Sequence, residues 1–216
     1  MMNKAITTGL AVLVTGGLLM AQPRRQLSGE GIASAHVMGK WVKTDKESYT
    51  LGGEIFQGGK WIDIVYGRPL LRGREAFPGT GAEYGKATYA GAPVWRAGAN
   101  ASTRLKTEVP LAIGDKRVPA GEYSLFIELK SSQEWTLIVS NWAAAQKFNE
   151  ASKDALYGAF EYTPDKDVTR AAMKVETLPF RMEQLTWEFL DVTDAGGRMA
   201  VMWDKNMASF PFKVIQ

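Results

Sequence analysis

The residues best suited to chemistry lie between Val65 and Asn100, a stretch rich in glycine and proline that holds four arginines. A guanidinium group is planar and always charged, so it can hold a carboxylate or phosphate through two hydrogen bonds and can stack on aromatic rings. Conformationally irregular segments of this kind usually serve a site. We therefore predict a pocket for a small polar or anionic ligand, formed by Tyr66, Arg68, Arg74, Trp95, Arg96 and Asn100.

In a second interpretation, the arginines stabilise the loop and do not bind a ligand. Pairing with Glu75, Glu83 and backbone carbonyls would hold the chain in place, while Trp95 would fill the core. A loop of about thirty residues is unusual unless it is functional or internally packed, which fits both interpretations. Buried arginine–glutamate pairs would favour the structural role, whereas guanidinium groups without carboxylate partners in a cleft would favour a site.

The chain offers no recognisable catalytic set. His36 is the only histidine and there is no cysteine, which excludes thiol chemistry, thiolate metal sites and sites with two histidine ligands. We expect His36 to be a solvated residue at the edge of the first strand. Four carboxylates could supply an acid and a base, although no spacing selects two of them. They are Glu54, Asp63, Glu75 and Glu83.

Metal and cofactor sites are not predicted either. The glycine-rich parts match neither a phosphate-binding loop nor a dinucleotide fingerprint, so no cofactor is expected. The segment 163–167 holds two carboxylates with a lysine between them, too few for a hard-cation loop. We interpret this segment as a turn.

Charge and composition narrow the class of protein. The 216 residues include 26 basic and 23 acidic side chains, spread without a block of like charges, so nucleic acid is not an expected partner. The hydrophobic fraction of 45% is enough for a packed core. At this length, we expect one domain.

The N-terminus resembles an export signal. Lys4 precedes an uncharged, mostly apolar run from Ala5 to Ala21, which is short for a membrane span. We predict a signal peptide over residues 1–21, a flexible lead-in over 22–35 and a single β-sandwich domain over 36–216. The mature protein would be periplasmic or extracellular, without a membrane span. An uncleaved N-terminal anchor is the alternative, and the oligomeric state is left open.

Most of the remaining chain alternates apolar and polar residues with the period of two typical of strands. About ten short strands joined by turns, without strand–helix–strand alternation, predict an antiparallel β-sandwich of the jelly-roll or immunoglobulin-like kind. One short helix is predicted over residues 143–156, which lack proline and glycine. The predicted strands include 38–42, 49–57, 60–66, 103–110, 123–129, 134–141, 168–178, 183–192, 198–205 and 209–215.

Three turns carry specific signals. Two glycines at Gly58-Gly59 supply the positive φ that a tight β-turn needs, so a hairpin is predicted there. Gly114-Asp115 and the segment 194–197 are interpreted in the same way. In the strand that follows Gly59, alternation places Ile62, Ile64 and Tyr66 on the core face.

Three motifs resemble a known bacterial family. They read Y-G-R-P with G-R-E-A-F, then V-W-R-A-G-A-N-A-S-T, then V-P-A-G-E-Y-S-L-F-I. Together they resemble domain-of-unknown-function family 2911 (DUF2911), over about residues 35–216. Members are typically exported, and the resemblance implies the same here, but it carries over no catalytic residues. This chain has Asn100-Ala101-Ser102 where the family often has Asn-Glu-Ala, so it lacks a carboxylate beside the predicted pocket.

The leading hypothesis is an exported β-sandwich that binds a polar or anionic ligand at the arginine-rich loop. The first alternative is a hydrolase or lyase directed at carbohydrate or peptidoglycan, which would use Asp63 or a loop glutamate. The second is a cell-envelope interaction module without a small-molecule site. A deep cleft with two carboxylates would favour the enzyme, and a flat apolar patch would favour the interaction module.

Overall fold

The described part of the chain folds as one antiparallel sheet of nine strands that curls into a sandwich. A computed structural model describes residues 27–45, 53–89, 91–142, 159 and 162–215. The strand order in the sheet is β1-β2-β3-β6-β7-β8-β9-β4-β5. The strands are β1 (Glu30–Lys43), β2 (Glu54–Gly67), β3 (Thr103–Thr107), β4 (Leu111–Ile113), β5 (Lys116–Val118), β6 (Gly121–Leu129), β7 (Trp135–Ser140), β8 (Asp167–Thr193) and β9 (Gly196–Val214).

Two long strands carry the chain from one layer to the other. The first part of β8 pairs with β7 as far as Met173, and from Lys174 onward β8 pairs with β9. The far end of β9 then pairs with β4. The sheet therefore folds back until β1 lies near β8, and one core collects inward side chains from both layers. The predicted all-β antiparallel class is confirmed.

Alternation predicts the core well. Ile62, Ile64 and Tyr66 are buried on one face of β2, as expected. The opposite face of β6 and β7 is also covered, because Phe126 and Ile138 are buried in a second, smaller apolar cluster. Strands that are buried on both faces show continuous apolar runs, and this explains the sequence Leu-Phe-Ile in β6.

β8 and β9 are continuous where four strands were predicted. The pairing of β8 with β9 shifts register between Thr177 and Met182 and again before Thr186. Pro179 lies in the first irregularity, and a proline cannot donate a ladder hydrogen bond. The turn at 194–195 joins the two strands, as predicted, and Gly114-Asp115 joins β4 to β5.

The predicted hairpin at Gly58-Gly59 is wrong. β2 runs through both glycines and pairs along its length with β1, so that Gly39 faces Gly58 and Val37 faces Lys60. Both glycines do have positive φ, of 71° and 89°, and Met38 on the neighbouring strand has φ of 61°. The conformation that suggested a turn instead produces a local irregularity between two continuing strands.

The first strand begins earlier than predicted. β1 starts at Glu30, so residues 30–35 of the predicted lead-in belong to the sheet. These residues pair with β2, from Glu30 opposite Gly67 to Ala35 opposite Ile62. The pairing makes them a strand, although their own sequence shows no strand pattern.

Helical structure is sparse. The described residues contain one short α-helix, α1 (Lys86–Tyr89), and two 3₁₀ turns at Gly81–Glu83 and Pro164–Lys166. The second of these confirms the turn predicted over 163–167. The predicted signal peptide and the predicted helix over 143–156 lie outside the described residues. Within the described part of the chain, no helix is long and apolar enough to cross a membrane.

Candidate functional site

The loop between β2 and β3 is attached to the sheet where it begins and where it ends. The Leu71 N–H donates to the Glu183 carbonyl at 2.9 Å, and the Leu185 N–H donates to the Pro69 carbonyl at 3.0 Å. At the exit from β2, a Cβ atom on Gly67 would lie 1.9 Å from the carbonyl oxygen of Ala99. Only glycine allows the two ends of the loop to approach so closely.

Trp95 fastens the middle of the loop to the core. Its N–H and carbonyl exchange hydrogen bonds of 2.9 and 2.8 Å with Ile127 of β6. Its ring meets Phe77 edge-on at 5.0 Å between centroids and lies nearly parallel to Trp203 at 6.2 Å. Trp95 therefore does fill the core, as the structural interpretation of the loop predicted.

A carboxylate holds the arginine-bearing segment from the other layer. Asp204 of β9 accepts a hydrogen bond from the Ala76 N–H at 3.3 Å and pairs with Arg181 Nε at 2.9 Å. The same arginine donates from Nη2 to the Arg74 carbonyl at 2.5 Å. The backbone on both sides of Glu75 is thus fixed by one ion pair.

These attachments enclose a pocket of about 570 Å³ between the loop and β9. Its polar lining comes from Arg74, Glu75, Thr88 and Arg96, and two indoles contribute to its wall. The indoles belong to Trp95 and Trp203, and the remaining lining is mainly proline, leucine and alanine. Apolar walls with a few polar groups are typical of small-molecule sites of this size.

Arg74 keeps most of its hydrogen-bonding capacity. Its Nε donates to the Leu71 carbonyl at 3.0 Å and its Nη2 donates to the Leu70 carbonyl at 2.9 Å. A guanidinium has five N–H donors, so three remain. No ion pair joins Arg74 to a carboxylate of the described residues. Its orientation is fixed by neutral carbonyls, which leave its charge uncompensated.

Arg96 and Trp203 complete the pocket's donors. Arg96 is half-buried, and its Nε donates to the Gly98 carbonyl at 3.2 Å. Trp203 is buried, and its Nε1 has no hydrogen-bond partner among the described residues. A buried N–H without an acceptor is costly, and such groups often mark a place for water or a ligand.

The other three predicted site residues do not line this pocket. Tyr66 is buried in the core, where its hydroxyl donates to the Trp187 carbonyl at 3.4 Å and burial raises its pKa. Arg68 lies against Tyr66 and Gly31, with a buried Nε that has no partner among the described residues. Asn100 donates from Nδ2 to the Ser28 carbonyl at 2.6 Å.

The predicted pairing of loop arginines with loop glutamates is not present among the described residues. Glu83 pairs with Lys86 at 2.8 Å, three residues along the chain. Glu183 accepts from the backbone N–H of Arg72 at 2.6 Å, not from its guanidinium. Arg74 and Arg96 do donate to loop carbonyls, as the structural interpretation predicted. Backbone contacts and Asp204 supply further attachments of the loop.

The four candidate catalytic carboxylates are not gathered in one place. Glu75 lines the pocket, while Asp63 accepts a hydrogen bond from Ser34 Oγ at 2.6 Å in the β1–β2 pair. Glu54 lies at the start of β2, opposite Lys43. Among the described residues, no three His, Asp or Glu side chains are grouped to hold a metal ion.

Two features escape the sequence interpretation. In the sequence, Trp203 looks like any other inward residue of an alternating strand. It lines the pocket only because the β2–β3 loop folds over it. His36 is not an isolated edge residue, because it lies within β1 and stacks on Trp61 at 4.3 Å with the rings 10° apart. Alternating aromatic residues on adjoining strands are the only signal in the sequence for that contact.

A family model described as "Protein of unknown function (DUF2911)" matches residues 51–212. The chain belongs to the DUF2911 family. The resemblance carried by the three sequence motifs is thereby confirmed. The matched DUF2911 region contains the whole pocket, whereas β1, with His36 and Trp41, precedes it. No curated protein and no solved structure matches the chain.

Proposed function

We propose that this DUF2911 protein is an exported binding protein that takes a small carboxylate or similar anion in the pocket beneath the β2–β3 loop. The observation that carries the proposal is the pair of cations, Arg74 and Arg96, on the wall of a 570 Å³ pocket. Export rests on the N-terminal pattern of Lys4 followed by an apolar run.

Charge makes an anion the best match. The described lining contains two guanidinium groups and one carboxylate, Glu75. Arg74 forms no ion pair with a carboxylate of the described residues, so an anion would offset its charge and could receive two parallel hydrogen bonds from its free edge. Arg74 is exposed and Arg96 is half-buried, so the effective dielectric constant is lower, and the attraction to an anion stronger, on the Arg96 side of the pocket.

Preorganisation supports binding at the same place. The Arg74 side chain is already held by two carbonyls, so little conformational entropy remains to be lost when an anion arrives. The apolar part of the wall would contact the carbon skeleton of the ligand, and the Trp203 N–H is a donor without an acceptor among the described residues. These features suit a carboxylate with a small apolar body.

The test is a thermal-shift screen of the full chain, followed by calorimetric titration of any ligand that stabilises it. Probes are acetate, succinate, citrate, inorganic phosphate and sulfate, each compared with an uncharged analogue such as succinamide for succinate. A ligand that binds only the native state raises the melting temperature. We expect at least one carboxylate to do so and its amide not to.

Variants locate the effect. Arg74→Gln and Arg96→Ala should each weaken binding by about tenfold or more, since each removes a charged hydrogen bond worth about 1.5–3 kcal/mol. Arg117→Gln is the matched control, because Arg117 is exposed on β5 and is not among the residues that line the pocket. Failure of every anion to bind, or equal binding by all three variants, would overturn the proposal.

A further inference from the structure

A second candidate site lies on β1 and β2, away from the arginines. Four side chains form what is called here the aromatic group: His36, Trp41, Phe56 and Trp61. His36 stacks on Trp61, and Phe56 meets both His36 and Trp41 edge-on, at 5.0 and 5.3 Å between centroids. The four rings are therefore one continuous aromatic surface.

This surface is unusually open. Trp41 is 56% exposed and Trp61 is 47% exposed, although tryptophan is highly buried on average. Every other described tryptophan except Trp142 is buried. Exposed aromatic clusters generally mark interaction sites.

Three members of the aromatic group, His36, Trp41 and Phe56, form one wall of a groove of about 450 Å³. The opposite wall is the end of β8 and the turn to β9, which contributes Val192, Thr193 and Asp194. Lys40 adds a cation to the same lining. Among the described residues, the groove thus combines exposed ring surface with one ammonium group and one carboxylate.

The two walls are connected by the backbone. The Met38 N–H donates to Asp194 Oδ1 at 2.8 Å, which ties β1 to the β8–β9 turn. The Phe56 ring covers Gly39 so closely that a Cβ atom there would lie 2.3 Å from it. The position of the ring relative to Asp194 is therefore built into the strand pairing.

We propose that this groove binds a neutral carbohydrate. The C–H face of a sugar ring carries partial positive charge and is apolar, so it matches the negative π face of an exposed tryptophan. Sugar hydroxyls both donate and accept hydrogen bonds, which suits the second oxygen of Asp194 and the Lys40 ammonium. One positive and one negative side chain cancel, so the lining favours an uncharged ligand over an ion.

The groove is separate from the anion pocket. None of its lining residues is shared with that pocket, and Phe56 precedes Gly67, the start of the loop, by eleven residues along β2. At about 3.3 Å per residue, the contour along the strand is roughly 35 Å. Failure of one proposal therefore leaves the other intact.

The test is a titration of the full chain with soluble tetrasaccharides, followed by tryptophan fluorescence and calorimetry. Probes are the tetramers of N-acetylglucosamine, β-1,4-glucose and α-1,4-glucose, taken to about 10 mM to include sites with Kd near 1 mM. We expect saturable binding of at least one tetramer and a change in fluorescence when it stacks on Trp41.

Matched variants assign the site. Trp41→Ala should weaken binding at least tenfold, and Trp41→Phe should recover part of the loss because an aromatic face remains. Phe180→Ala is the control, since Phe180 is equally exposed at 55% but is not among the residues that line the groove. Melting temperatures of all variants verify that folding is unchanged.

Several outcomes would overturn the proposal. One is the absence of saturable binding by all three tetramers. Another is binding that survives Trp41→Ala, or that is lost in Arg74→Gln and so belongs to the loop pocket. A third is concentration-dependent self-association that disappears in Trp41→Ala, which would identify the aromatic group as an interface between copies of the chain.

Discussion

The two ends of β2 present contrasting kinds of surface. At its end, near Gly67, the chain enters a loop whose cations are oriented by backbone carbonyls and by attachments to β8 and β9. At its beginning, near Phe56, rings are oriented by strand register alone, with Trp41 directly opposite Phe56. The loop pocket therefore depends on contacts distant in sequence, whereas the aromatic groove depends mainly on one antiparallel pair.

This contrast explains which aromatic residues are available for binding. Trp95 lines the loop pocket, but most of its ring is buried in the core, where it contacts Phe77 and Trp203. Trp41 contributes little to the core and leaves more than half of its surface open. The two tryptophans thus have different roles, and alanine substitution of each should have different effects on stability.

The largest effect is expected from Trp95→Ala. This change removes a fully buried ring and should lower the free energy of unfolding by about 3–5 kcal/mol, since the cavity cannot refill completely. Trp41→Ala should change it by no more than about 0.5 kcal/mol, as is usual for exposed positions. Urea unfolding followed by circular dichroism measures both. Comparable losses would mean that the aromatic group is a structural element.

A smaller effect is expected from Gly59→Ala. Gly59 has φ of 89°, and a Cβ atom there would lie 2.8 Å from the Val37 carbonyl oxygen and 2.6 Å from His36 Nε2. The strain of an alanine in the left-handed backbone region and the clash of its Cβ atom should together lower the free energy of unfolding by about 2–4 kcal/mol.

Gly73→Ala in the loop is the matched control for this prediction. Gly73 has nearly the same φ, 81°, but nothing within 4 Å of the added Cβ atom. Gly73→Ala should lower the free energy of unfolding only by the conformational strain, about 1–2 kcal/mol. If the two glycine variants lose equal stability in urea, the packing of β1 on β2 is looser than the structure shows, and the groove has no fixed shape.

These residues also show what the sequence could predict. Alternation alone identifies the inward positions of β2 and β6, because each depends only on neighbours two residues away. The same rule places Tyr66 in the core, despite its closeness to Arg68 in the sequence. The family could be recognised from motifs around the loop, since those motifs include the glycines and arginines that its conformation needs.

Other features depend on a partner strand that the local sequence does not reveal. Gly58-Gly59 has the composition of a hairpin turn, and only the long pairing with β1 makes it part of a continuous strand. Arg74 and Arg96 could be selected as candidates, but Trp203 and Thr88 join them through folding of the loop onto β9. Sequence reasoning found the arginines of the pocket and missed Trp203, which β9 supplies, and Thr88, which α1 supplies.

A still smaller effect is expected from Asp204→Asn. Asparagine tolerates the left-handed backbone at this position, where φ is 58°, and it retains one acceptor oxygen. The charge that holds Arg181 is lost, so we expect a loss of about 1–2 kcal/mol. Binding of an anion in the pocket should weaken because the Arg74 backbone is no longer fixed, while tetrasaccharide binding should be unchanged.

Glu122→Gln is the control for Asp204→Asn. Glu122 pairs with Arg104 and Lys106 at 3.6 Å on the face of β3 and β6, with the glutamate side chain 43% exposed. Such surface pairs contribute about 0–1 kcal/mol. Thermal unfolding and calorimetric titration of both variants provide the comparison. Unchanged anion affinity in Asp204→Asn would show that the loop keeps its shape without this ion pair.

A loss of stability that is present at neutral pH and diminishes in alkali is expected from Tyr89→Phe. The Tyr89 hydroxyl donates to the Leu129 carbonyl at 3.1 Å and accepts from the Leu129 N–H at 2.7 Å, and burial raises its pKa. A phenol with a raised pKa in the folded state stabilises the protein fully below its unfolded pKa of about 10. That contribution is lost as the pH rises from about 10 through the higher folded pKa.

Urea unfolding between about pH 8 and pH 11 should therefore show a falling free energy of unfolding above pH 10, with a shallower fall in Tyr89→Phe. Burial raises the pKa of Tyr84 in the same way, so both tyrosines of the loop should resist ionisation until it detaches. The aromatic group contains no tyrosine, so ionisation of phenols should not change its sugar affinity directly. Phenolate absorbance of the native protein checks the assignment, because titration of every tyrosine near pH 10 would contradict it.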